Sequence, residues 1–269
     1  MARFVVLLSL FLSVGAGVIA QTTQPSTSQI SSASDPQALA LAVKSVMAMT
    51  RGSVIRDVKI TASVTWIAGS DREIGTGTFL AKGANESRVD LDLDSGDRTE
   101  IRSSSEGAPT GKWKRGQGKV ASVAQHNCWT DAVWFFPALS SLTQTTNSNF
   151  TFQYFGQEQR DGLAVLHLRI AQHLVGDTAG LNLSRLTVMD FYLDPSSLLP
   201  LAVAYNLHPD DNFNRDIPAE IRFTDYRLVD GVQVPFHIQR LLNGGLLMDA
   251  IVSEVNANSG LNDTQFTLQ

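Results

Sequence analysis

The sequence predicts an α+β protein: one broad antiparallel sheet with a helix at its start. Three observations carry this. Phe223 to Ile238 reads as two strands closed at Asp230-Gly231, a dipeptide suited to a type I′ hairpin because both central residues need positive φ. A further strand, Leu246 to Val255, follows the Asn243-Gly244-Gly245 turn and extends the hairpin into a meander. Long helical patterns do not alternate with the strands, which argues against a doubly wound α/β fold.

The elements follow in order. Residues 1–20 have the form of a secretory signal peptide: Arg3, an apolar run from Phe4 to Val14, and a small-residue cleavage site at Val18-Ile19-Ala20. The run falls short of the roughly 20 apolar residues of a membrane helix, so a mature chain starting near Gln21 is expected outside the cytoplasm. Residues 21–34 are rich in Ser, Thr and Gln and read as a flexible tether. Residues 35–269 form a single domain. Asp35-Pro36 opens a helix, Asp35 capping free N–H groups and Pro36 fitting the first helical position. Leu39, Val43, Val46 and Met47 share one side at helical spacing, and Gly52 ends the run.

Ile60, Ala62, Val64 and Trp66 then alternate with polar residues, the period of a half-buried strand. Strands follow at Ile74 to Leu80, Ser87 to Leu93, Arg98 to Ser103 and Lys112 to Lys114. Later ones are expected at Phe150 to Phe155, Leu163 to Ile170, Thr187 to Asp194 and Leu198 to Tyr205. Two segments interrupt the pattern. Asn127 to Leu142 carries Trp129, Trp134, Phe135, Phe136 and Pro137, and Asp177 to Leu186 reads as a short helix or loop. Pro235 inside a strand pattern points to a sheet edge or a bulge.

Composition narrows function. The formal charge of −5 and the absence of lysine and arginine clusters argue against a nucleic-acid partner and against an anionic membrane surface. Cys128 is the only cysteine, so the domain must be stabilised by core burial without an internal disulfide. No G-x-S-x-G, H-E-x-x-H or phosphate-loop pattern occurs. His126 and Cys128 lie close together but lack the further ligands or base that a zinc or thiol site needs. Asp90 to Asp97 superficially resembles a calcium loop, yet Ser95 and Ile101 occupy the positions where Gly and Glu are required, so a hairpin turn is expected. No catalytic residue, metal or cofactor is expected.

What the chain has in quantity is apolar strand face. Met189, Phe191 and Leu193 share one face, Val234, Phe236 and Ile238 another, and Phe223 a third with Asp225 and Arg227. These stripes admit two readings: a core packed between helix and sheet, or an apolar cavity left by an imperfect cover. On the second reading the ligand-binding candidates are Val64, Trp66, Trp134, Phe135, Phe136, Met189, Phe191, Phe223, Phe236 and Ile238.

The chain resembles the LolA/LolB-like lipoprotein-carrier superfamily. The likeness rests on Phe191-Tyr192-Leu193-Asp194-Pro195 running into Leu198-Leu199-Pro200-Leu201, on Phe223 to Arg227 with Asp230-Gly231-Val232 and Pro235, and on the tail from Asn256 to Phe266. It implies a strongly curved antiparallel sheet, an unclosed half-barrel, whose concave apolar face is covered by helices and loops. It also implies a monomeric, non-catalytic periplasmic protein whose partner is lipid or an acylated lipoprotein, with the Trp134-Phe135-Phe136 segment as a mobile cover. Arg56 and Lys59 are the candidates for that family's functional arginine. Two alternatives stand beside this: an envelope protein-interaction or stress-sensing module on the same fold, and a secreted hydrolase using His126 or His167.

Overall fold

The computed structural model describes residues 33–104, 108–174 and 183–268. The expected signal peptide and all but the last residues of the expected tether lie outside the described residues, as does the first part of the Asp177–Leu186 segment. Helix α1 spans Pro36–Thr50. The strands are β1 (Asp57–Ala68), β2 (Asp71–Lys82), β3 (Glu86–Leu93), β4 (Arg98–Ser103), β5 (Thr110–Arg115), β6 (Ala121–Ser122) and β7 (Phe150–Arg160). They continue as β8 (Leu163–Gln172), β9 (Met189–Leu193), β10 (Pro200–Leu207), β11 (Ile217–Val229), β12 (Val232–Leu242) and β13 (Gly245–Ala257).

All 13 strands belong to one unclosed antiparallel sheet in the order β6-β5-β4-β3-β2-β1-β13-β12-β11-β10-β9-β8-β7. The order departs from simple chain succession at two places. The first strand pairs with the last, Ile60 opposite Val255 and Val64 opposite Ala250. The other exception decides the architecture: β6 and β7 are consecutive in the chain but lie at opposite edges of the sheet. The segment 123–149 that joins them must therefore run from one edge to the other. It crosses the core-facing side, where Val133, Phe135, Phe136 and Leu142 are completely buried.

The hairpins form as their turn chemistry dictates. Asp230 and Gly231 have φ 50° and 86°, and Asn243 and Gly244 have φ 50° and 77°. Asp161-Gly162 makes a turn of the same kind, with φ 49° and 80°, and lets β7 run on to Arg160, well past the expected Phe155. A curved sheet also needs room on its inner face, and β2 supplies it with glycine. A Cβ on Gly75 would fall 1.9 Å from the Asp92 carbonyl oxygen, and one on Gly77 would lie 2.8 Å from both the Phe79 ring and the Val64 side chain.

The helix departs from the expected face. Asp35 caps it, its carboxylate accepting from the Gln37 N–H at 2.8 Å. The buried stripe is Ala38, Ala42, Ser45 and Met49, whereas Val43 and Met47 are about half exposed, at 48% and 52%. Of the expected stripe, Leu39 and Val46 pack partly buried against the core, beside the fully buried Ala38, Ala42 and Met49, so the contact face is displaced from the predicted one but overlaps it. Arg51, in the left-handed region at φ 52°, ends the helix ahead of Gly52.

Pro235 is also resolved. Strand β12 is interior, but its ladder to β13 covers only His237 to Leu242, so the proline, which has no N–H to give, stands where that side is open. Its other neighbour is irregular too: Asp225 has φ 53°, and the Asp225–Phe236 pair is missing from an otherwise regular β11–β12 ladder. The described part of the Asp177–Leu186 segment is a 3-10 turn, Leu183–Thr187. No described helix is long and apolar enough to cross a membrane.

Candidate ligand-binding site

Across an antiparallel ladder, directly paired residues share a face. Starting from Trp66 on β1, the pairs Trp66–Met248 and Met248–Arg240 carry the inner face toward β12. In the other direction Leu91–Arg98, Arg98–Arg115 and Glu100–Trp113 carry it out to β5. The same face that buries Val64, Phe79 and Leu91 therefore turns aromatic and charged near one rim. There, between the sheet and Trp134 of the cover, lies a cavity of about 200 Å³ with a mostly apolar wall of Trp66, Trp113, Trp134 and Met248.

Two arginines frame it. The Arg98 guanidinium lies 4.8 Å above the Trp66 ring, and that of Arg240 lies 4.9 Å from the Trp134 ring. Arg98 also binds Glu73 at 3.0 Å. Burial alone would raise the Glu100 carboxyl, but the nearby Arg102 and Arg240 outweigh it and hold the group below the ordinary carboxylate value. Glu100 is engaged by Arg102 at 2.8 Å.

The cover is held by polar contacts at its ends and by rings in its middle. Arg102 donates to the Asn127 carbonyl at 2.5 Å, and Asn127 exchanges two hydrogen bonds of 2.8 Å with the backbone of His208. Arg56 and Lys59, by contrast, are exposed. Arg102 is the buried arginine that reaches the cover. Farther along, Asp131 accepts from the Ser141 N–H at 3.0 Å and the Ser141 hydroxyl at 3.1 Å. In the middle, Phe135 sits 5.3 Å from Phe79 and 5.5 Å from Trp134, centroid to centroid.

Burial pushes the Asp131 carboxyl up to about 6 despite the Ser141 hydrogen bonds that pull it down. An acid whose folded value is raised binds its proton more tightly in the native state, so it opposes folding most at high pH. We expect native stability to rise as pH falls through about 6, and Asp131→Asn to remove that part of the pH dependence. Urea midpoints of both proteins between about pH 7 and pH 4 measure it, since the slope reports the difference in bound protons.

The candidate residues separate into two groups. Trp66 and Trp134 line the cavity. Val64, Phe135, Phe136, Met189, Phe191, Phe223, Phe236 and Ile238 are packed together in the core, none more than 9% exposed. The residues that sequence reasoning missed are Trp113, Met248 and the cavity-lining arginines Arg98, Arg115 and Arg240. Charged residues on a strand are normally assigned to the solvent face, and only the β3–β4 register reverses that for Arg98 and Glu100. A signal was present: Arg98, Glu100 and Arg102 share one period-2 face, opposite Ile101.

The histidines proposed for hydrolysis do not meet. His126 Nε2 donates to the Pro209 carbonyl at 3.0 Å. His167 is buried on the other face of the sheet, where its Nε2 donates to Asp190 at 3.0 Å and its ring stacks on Phe155 at 4.9 Å. Burial raises the Cys128 thiol, the opposite of what a nucleophilic cysteine requires.

No family model and no curated protein matches the sequence. Solved structures do. A DUF1329 family protein from Desulfovibrio piger superposes with a TM-score of 0.56 at 13% identity, covering 86% of this chain and 96% of that one. A domain assigned to outer membrane lipoprotein sorting, from Vibrio parahaemolyticus, gives 0.54 at 14% identity, with 86% and 96% covered. The chain shares the fold of these two structures, an unclosed antiparallel half-barrel. At such identities the likeness concerns the fold alone. Within this half-barrel, the cavity described above lies between the inner face of the sheet and the segment 123–149.

Proposed function

We propose that this protein is a non-catalytic binding or carrier protein of the bacterial envelope, taking up lipid, a lipoprotein acyl chain or another apolar ligand. One observation carries the reading: an apolar, aromatic cavity lies between the inner face of an unclosed sheet and the segment that covers it. The fold shared with a domain assigned to lipoprotein sorting supports it.

Sites of this kind bind by burial. Each methylene removed from water contributes roughly 0.8 kcal/mol, so a hydrocarbon segment of several carbons can offset the cost of association. The indoles bordering the cavity provide the readout. A single-chain C12 probe should change tryptophan fluorescence in a saturable way, and lipid should be found by mass spectrometry in gently purified protein. Trp66→Ala should weaken uptake roughly ten-fold, about the transfer free energy of part of one ring. Charges placed at Phe191 or Phe236 would be a poor test, because both side chains belong to the core and their replacement would unfold it. Absence of both co-purified lipid and probe uptake would overturn the reading, and stoichiometric capture of an envelope protein in their place would favour a protein-interaction module.

A further inference from the structure

We propose that the Trp66–Trp113–Trp134 cavity selects a single-chain amphiphile with an anionic head, a carboxylate or phosphate held by Arg98, Arg115 and Arg240. This rests on the apolar-ligand reading of the same cavity and adds the chemistry of the head and the number of tails.

Unmet donors supply the first argument. The indole Nε1 of Trp66 and the Nε of Arg98 are both buried without a hydrogen-bond partner. Both atoms can only donate, and buried donors are rarely left unpaired in folded proteins. Among the described residues these two donors have no acceptor, and a carboxylate or phosphate oxygen brought beside them would supply one where a hydrocarbon or an ammonium group would not.

Charge supplies the second. The protein carries a formal charge of −5, yet Arg98, Arg115 and Arg240 all line one cavity, Arg115 at its exposed edge. The carboxylates beside them are already engaged, Glu73 by Arg98 and Ser95 and Glu100 by Arg102. Among the described residues neither Arg115 nor Arg240 is in an ion pair, and Arg115 donates to the Ser95 hydroxyl at 3.1 Å. A guanidinium fork matches carboxylate and phosphate geometry, and such bonds are about twice as strong as neutral ones.

The third argument weighs against a cationic guest. An aromatic cavity could in principle hold a quaternary ammonium group against its ring faces. Here Arg98 and Arg240 already occupy the faces of Trp66 and Trp134. Size limits the tail. At about 200 Å³ the cavity falls below the ~300–1,000 Å³ typical of pockets for drug-sized ligands, which leaves room for one chain segment but not for several side by side.

The test is a matched series at pH 8 below the micellar range: dodecanoate, dodecyl phosphate, dodecanol, dodecyltrimethylammonium and inorganic phosphate, each titrated by tryptophan fluorescence and calorimetry. Dodecanoate and dodecyl phosphate should bind roughly 10- to 100-fold more tightly than dodecanol, the range of one charge-assisted hydrogen bond. Arg240→Gln should shrink that preference, read as the ratio of dodecanoate to dodecanol affinity in the variant against that in the parent protein. Arg115→Gln, at an exposed position, makes the same comparison if the first variant fails to fold. Equal affinity for dodecanoate and dodecanol would overturn the anionic head while leaving the apolar-ligand reading intact. Inorganic phosphate binding as tightly as dodecyl phosphate would reduce the site to an anion site, and preference for the ammonium compound would reverse its charge. Failure of every C12 compound would overturn the cavity reading and this inference together.

Discussion

Asp190→Ala should be among the most damaging single substitutions in this protein, lowering stability by roughly 3–5 kcal/mol, the usual cost of removing one partner from a buried ion pair. Asp190 is 1% exposed. It receives Arg169 Nε at 2.7 Å and a terminal guanidinium nitrogen at 2.9 Å, together with His167 Nε2 at 3.0 Å. A roof of rings and cations shields the group: Phe155 stacks on His167, His167 packs 4.8 Å from Tyr192, and Arg160 lies 4.0 Å over the Tyr192 ring. Water can therefore replace the lost carboxylate only by opening the outer face of β7 to β11. Denaturant midpoints measure the loss.

The same cluster predicts a pH response opposite to that of Asp131. Burial alone would raise the Asp190 carboxyl, but hydrogen bonds from His167 and Arg169 and the charge of Arg169 outweigh it and hold the group below its ordinary value. A depressed carboxylate contributes stability that is fully present above its unfolded value, about 3.9, and is lost as pH falls toward the folded one. Asp190→Asn should therefore show less acid destabilisation below about pH 4 than the parent protein. Equal acid midpoints in the two proteins would contradict the assignment.

Phe135→Ala should be comparably costly for stability, about 3–5 kcal/mol, yet informative for binding. The ring is completely buried and bridges Phe79 on the sheet to Trp134 on the cavity wall. Its removal takes away transfer free energy and leaves a void, because neighbours in a packed core relax only partly. An apolar void of this kind stays dry and accepts apolar guests. With Trp134 at the boundary, the new space should extend the existing cavity inward, so that longer chains gain relative to shorter ones. We expect a lower midpoint in the absence of ligand, and a larger rise in midpoint with hexadecanoate than with dodecanoate, since ligand that binds only the native state stabilises it. A variant that loses stability without any change in chain-length preference would separate the core at Phe135 from the cavity at Trp134.

The meander was legible because each of its determinants is local. Asp230-Gly231 and Asn243-Gly244 need positive φ at adjacent residues, and period-2 alternation from Ile60 to Trp66 fixes which side of β1 is buried. The helix start was equally local, since Asp35 and Pro36 act within one turn. The helix face was not. Its apolar periodicity marked Leu39, Val43, Val46 and Met47; Leu39 and Val46 do pack against the core, but Val43 and Met47 are half exposed, and the fully buried positions are Ala38, Ala42, Ser45 and Met49. Asp190 and Tyr192 gave no hint of burial either. They alternate with Met189, Phe191 and Leu193 as a solvated face would, and are enclosed by residues from neighbouring strands, among them His167 and Arg169 of β8 and Arg160 of β7.

The site illustrates the same division. Its aromatic members could be named from the chain, but their grouping could not. Phe191 and Phe236 look no different in sequence from Trp66 and Trp134, and whether an apolar side chain fills space or borders it depends on what arrives from elsewhere. Strand identity, turn placement and the helix cap follow from forces acting over a few residues, so the amino-acid order alone dictated an antiparallel, helix-capped β protein. The crossing of segment 123–149 between opposite edges of the sheet, and the β3–β4 register that turns Arg98 and Glu100 inward, arise from contacts between residues far apart in the chain. Those long-range pairings assembled the tryptophans and arginines into one cavity, because only the folded sheet brings β1, β4, β5, β12 and the cover within reach of each other.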